Sequence, residues 1–68
     1  MTNTSLLEEY IQKSGLKKSF IAAQLGLSAY GFALKCNNNS EFKASEMTIL
    51  TKLLKISTED KEAIFFAK

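Results

Sequence analysis

Residues 17–37, KKSFIAAQLGLSAYGFALKCN, decide how this chain is read. Ile21, Ala22 and Leu25 fall on one face of a helix over about Lys18–Leu25, and Gly26 follows where such a helix needs a left-handed stop. The pattern then restarts. Ser28 is a good N-cap, and Phe32 and Cys36 stand at i and i+4 on the inward side of a helix over Ala29–Cys36. Leu27 enters the core from the turn between the two. Ala22 is small enough to let the helices cross closely, and Gly26 admits the positive φ that turns the chain sharply. The stretch therefore reads as a helix-turn-helix.

Working outward, three more helices are predicted. Ser5 and Glu8 have the spacing of a capping box, so a first helix should start at Ser5, present Leu7, Tyr10, Ile11 and Ser14 at helical intervals, and stop at Gly15. Asn37, Asn38, Asn39 and Ser40 form a polar loop. A fourth helix, about Ala44 to Lys55, carries Met47, Leu50, Leu53 and Leu54 at core spacing, and a fifth is capped by Ser57 with Asp60, or by Thr58, and runs through Ile64, Phe65 and Phe66. Phe65 and Phe66 are adjacent, so one closes the core while the other closes the C-terminus or seeds a dimer contact. The expected fold is all-α, a compact five-helix domain over residues 1–68, with its motif at about 17–37.

Composition narrows the function classes. With 46% hydrophobic residues and no proline in 68 residues, the chain has the makings of one small core and not of a disordered tail. A single cysteine, Cys36, permits no internal disulfide, and without histidine it makes no zinc site; its inward position reads as a buried, inert thiol. No metal or cofactor is expected. Catalysis is not expected either, because there is no His, no Arg, no Gly-rich phosphate loop and no convergent carboxylate pair. The N-terminus is acidic where a signal peptide would be basic, and no apolar run approaches the ~18 residues of a membrane span, so a cytoplasmic setting without a membrane partner is expected.

Net charge is +2, but unevenly spread: residues 10–45 hold Lys13, Lys17, Lys18, Lys35 and Lys43 against Glu41 alone. That is the footprint of a surface facing a polyanion, or of a solvated lysine face. All nine basic residues are lysine. Arginine, the commonest reader of guanine, is missing.

The runs GLSAYGFALKCNNNSEF and KASEMTILTKLLKIS resemble the small helix-turn-helix regulators of Gram-positive temperate phages, of the Cro and lysogeny-repressor class. The resemblance spans residues 5–66 and implies a lambda-repressor-like fold in a bacterial host cytoplasm. It places Ser28, Ala29, Tyr30, Ala33 and Leu34 on the face that enters the major groove, where other members carry Arg, Gln and Asn. At about 100° per residue, Leu34 lies roughly 180° from the mean direction of Phe32 and Cys36, and Tyr30 about 40° from Leu34. An apolar side with an aromatic anchor is the signature of a protein interface, although Ala and Leu can also touch thymine methyl groups or pack within a homodimer.

Lys17, Lys18 and Ser19 at the start of one motif helix, Lys35, and Asn37, Asn38 and Asn39 after the other form the expected phosphate or electrostatic frame. Two functions follow. One is an antirepressor, similar to the modulator-of-repression proteins of such phages, that binds the lysogeny repressor and masks its DNA-reading surface. The other is a Cro-like repressor that binds operator DNA itself, as a dimer or jointly with the repressor.

Overall fold

The structure is a computed structural model that describes residues 1–66. Its elements are α1 (Thr4–Ser14), α2 (Lys18–Gln24), α3 (Ala29–Cys36), α4 (Ala44–Leu53) and α5 (Thr58–Phe65), and no strand occurs among the described residues. The chain is all-α, as its periodicity predicts.

The start of α1 differs from expectation. Asn3 is the cap: its side-chain oxygen accepts the Leu6 N–H at 3.2 Å, and the Ser5–Glu8 box does not form. The residues just upstream are tied down from elsewhere, which fixes the start of the helix. The Asn3 N–H donates to the Ile64 carbonyl at 2.6 Å, and the Asn38 side chain accepts from the Thr2 N–H at 2.7 Å while donating to the Thr2 carbonyl at 3.0 Å. Glu8 is thereby free to pair with Lys18 at 2.8 Å.

Three helices end alike. After α2, α3 and α4 comes a left-handed residue, Gly26 (φ 73°), Asn38 (φ 64°) or Lys55 (φ 55°), and the next residue's N–H reaches back to the last turn. Leu27 bonds to the Ala22 carbonyl at 2.9 Å, Asn39 to Leu34 at 2.8 Å and Ile56 to Thr51 at 3.0 Å. These closing bonds satisfy carbonyls that a helix end leaves without partners. Only the first of the three stops is a glycine, so the other two carry no glycine signal in the sequence. Ser28 and Ser57 cap α3 and α5 as predicted, accepting the N–H groups of Gly31 and Asp60.

The core is a single cluster. Leu7 and Ile11 of α1, Ile21, Ala22 and Leu25 at α2, Phe32 and Cys36 of α3, Leu50 and Leu54 at α4, and Ile64 and Phe65 of α5 are all buried. Phe42, from the connection between α3 and α4, joins them. Its ring packs edge-on against Phe32 and Phe65, with centroids 6.2 and 5.6 Å away. Edge-to-face contact suits the positive rim and negative face of aromatic rings. Phe65 therefore closes the core, and Phe66 is left 62% exposed.

Candidate functional site

α2 and α3 pack on one another through Ile21, Ala22, Leu25 and Phe32, and residues 25–28 connect them. Ala22 is 1% exposed, as a small residue at a close helix crossing must be. What faces outward is set by the same packing. On α3, Tyr30 is 75% exposed, and Ser28, Ala29 and Ala33 are exposed with it. Leu34 corrects the helical projection: it is half-buried, and its carbonyl accepts the Asn39 N–H where the chain folds back after α3. Tyr30, not Leu34, is the prominent side chain of this face.

Phe20 is another exposed aromatic side chain, one that the sequence pattern did not single out. It is 46% exposed in the first turn of α2. At about 100° per residue, Phe20 and Ala23 both lie roughly 150° from the mean direction of the buried trio Ile21, Ala22 and Leu25. The signal was available, since a helix that buries those three residues has to turn Phe20 away from the core.

The expected lysine and asparagine frame is divided by the structure. Lys17, Ser19, Asn37 and Asn39 are exposed and make no side-chain hydrogen bond among the described residues. Lys18 is also exposed, but its ammonium is held by Glu8, whose hydrogen bond raises the pKa of Lys18. Asn38 spends its side-chain amide on Thr2 and Thr4. Its role is structural.

Lys35 departs from the expected frame altogether. It is 8% exposed, not part of an outer surface, and its ammonium lies 2.5 Å from Glu46 Oε1. The geometry is simple: Lys35 precedes Cys36 on the flank of α3, and the first turn of α4 brings Glu46, 6% exposed, to meet it. The same carboxylate oxygen accepts the Lys43 N–H at 2.8 Å. Burial pushes the Glu46 carboxyl up, but the hydrogen bonds and charges of Lys35 and Lys43 outweigh it and hold the pKa below the ordinary carboxylate range. Cys36 is buried, and burial raises its thiol to about 11, which makes it unreactive at neutral pH.

The outward side of α3 therefore presents one exposed aromatic, Tyr30, among small side chains. Between Tyr10 and Ser40 the chain has no carboxylate. Of the four lysines in that span, Lys18 and Lys35 are paired, and Lys13 and Lys17 form no ion pair among the described residues. Such a surface can contribute apolar burial to a complex, with modest positive charge at its edge. No helix among the described residues is long and apolar enough to cross a membrane. No protein-family model matches the chain, and neither a curated protein nor a solved structure matches it.

Proposed function

We propose that α2, the 25–28 turn and α3 are a helix-turn-helix of the lambda-repressor-like type, and that the chain is a regulator of a phage lysis–lysogeny switch. It acts as an antirepressor: it binds the lysogeny repressor through the outward side of α3 and masks that repressor's DNA-reading surface. The reading is of a binding module, not of an enzyme.

The observation that carries it is the chemistry of that outward side. Tyr30 stands out at 75% exposure among Ala29 and Ala33, while Lys35, expected to frame it, is buried against Glu46. A protein that held DNA alone would draw on several free cations, since phosphate contacts supply most of the affinity. A protein interface is instead centred on a few aromatic anchors that become fully desolvated.

The exposed Lys17, Ser19, Asn37 and Asn39 favour a second reading, direct or joint contact with operator DNA. The two readings part in one titration. Switch-region DNA is titrated with this protein, with the lysogeny repressor, and with both, at physiological salt. The antirepressor reading expects no operator preference by this protein alone and loss of the repressor–DNA complex when it is added. Tyr30→Ala should raise the concentration needed by about 30-fold, the effect of losing ~2 kcal/mol at an anchor, with melting unchanged. Specific operator binding by this protein alone, with no effect on the repressor, overturns the antirepressor reading in favour of the Cro-like one. Leu34→Glu is a poorer probe, because Leu34 is half-buried and its loss would disturb the fold.

A further inference from the structure

α3 is attached to the rest of the molecule in two unlike ways. Its apolar side, Phe32 and Cys36, lies in the core against α2. Its other attachment is polar. Among the described residues, the bond from Lys35 Nζ to Glu46 Oε1, 2.5 Å long, is the one side-chain hydrogen bond that links α3 to another helix.

A buried ion pair is a poor way to gain stability, since well-packed apolar side chains of the same size serve as well or better. It has a different virtue. Apolar contact is less directional than a charged hydrogen bond, so the contacts of Phe32 and Cys36 alone set the rotation of α3 about its own axis only loosely. The pair is stricter. Turning α3 by one residue would set Leu34 or Cys36 before Glu46 and leave a buried carboxylate without its counter-charge, which is heavily penalised. Glu46 itself cannot follow, because its Oε1 is held from below by the Lys43 N–H at 2.8 Å.

We propose that the Lys35–Glu46 pair is an orientation pin: it fixes the rotation of α3 about its axis, and with it the direction in which Tyr30 projects, and contributes little to net stability. Lys35 and Glu46 are thus positioning residues for the surface described above. Their importance for binding rests on the reading of α3 as the binding helix, but the pin can be tested without any partner.

The test compares Lys35→Met, Glu46→Leu and the double variant with the parent protein, by thermal melting and by NMR residual dipolar couplings of the α3 amides. Lys35→Met alone should melt more than about 10 °C lower, because it strands the carboxylate. The double variant should return to within about 5 °C of the parent. Its α3 amides should nevertheless broaden or split, and their couplings should no longer fit the parent orientation. A double variant that fails to fold, or melts as low as Lys35→Met, overturns the proposal, since the pair would then be needed for stability. So does a folded double variant whose α3 couplings fit the parent orientation with one sharp set of signals. If the parent protein binds no repressor, the binding role is lost, while the pin still stands or falls by the couplings.

Discussion

Phe42 is the most exacting place to test the packing. It belongs to no helix, is 5% exposed, and lies between Phe32 and Phe65, so that three aromatic rings join the α3–α4 connection to α3 and α5. Truncating a buried Phe to Ala costs ~3–5 kcal/mol. The upper part of that range applies here, because two edge-to-face pairs worth ~0.5–1.5 kcal/mol each are lost with the ring. At ~0.05–0.15 kcal/mol per residue, a domain of this length has about 3–10 kcal/mol in all. Phe42→Ala should therefore remove at least roughly 40% of the chain's stability and, at the low end of that range, unfold it. Phe42→Leu keeps most of the buried volume and loses the ring pairs. It should cost ~1–3 kcal/mol and lower Tm by about 4–24 °C. Urea titration followed by circular dichroism measures both, with an unchanged denaturant slope expected for the Leu variant. A loss under ~1 kcal/mol for Phe42→Ala would mean that the connection is not docked in the core, and the account of how α3 and α5 are joined would fail.

Three other predictions follow from the polar groups. Glu46 has a lowered pKa when folded and titrates near ~4.3 when unfolded, so the stability it contributes is complete above the ordinary range and is lost as pH falls through the folded value. The urea midpoint should decline over that acid window, and Glu46→Gln should lose part of the decline; an unaltered acid profile would contradict the assignment. Cys36, with its thiol raised to about 11, should react with iodoacetamide at pH 8 only as fast as the protein opens, and rapid labelling of the native protein would show that it is not buried. Asn38→Gly keeps the left-handed backbone but loses the grip on Thr2, whereas Asn38→Ala loses both. The glycine variant should cost ~1 kcal/mol and the alanine variant ~2 kcal/mol or more, and the reverse order in urea would refute this role for Asn38.

The helices were legible because each carries its own signals. Ile21 with Leu25, Phe32 with Cys36 and Leu50 with Leu54 repeat at helical spacing, and all six are buried. Ser28 and Ser57 are caps by their chemistry, whatever surrounds them. What could not be read depends on contacts between segments far apart in the chain. Asn3 replaces Ser5 as the first cap because Ile64 and Asn38 hold the residues around it. Phe42 sits outside any period, shortly after the polar run of Asn37 to Ser40, and its burial is decided by Phe32 and Phe65. Lys35 stands at the edge of its helix, where a lysine is ordinarily solvated, and a carboxylate eleven positions on draws it inward. Of the candidate surface, Tyr30 was visible from helical projection, while Ala29 and Ala33 were placed there only by the family resemblance, and all three are exposed. Leu34 was placed too far out because projection takes no account of how the chain leaves the helix.

The bond from the Asn3 N–H to the Ile64 carbonyl bears on how the molecule is made. It joins the two ends of the fold across roughly 60 residues, and the entropy of closing so long a loop is met only once both ends exist. Leu7 and Ile11 share their core with Ile64 and Phe65, so the packing of α1 is incomplete while α5 is unmade. A message cut short before α5 would leave Leu7 and Ile11 without Ile64 and Phe65, and the N-terminal segment without the carbonyl that holds Asn3.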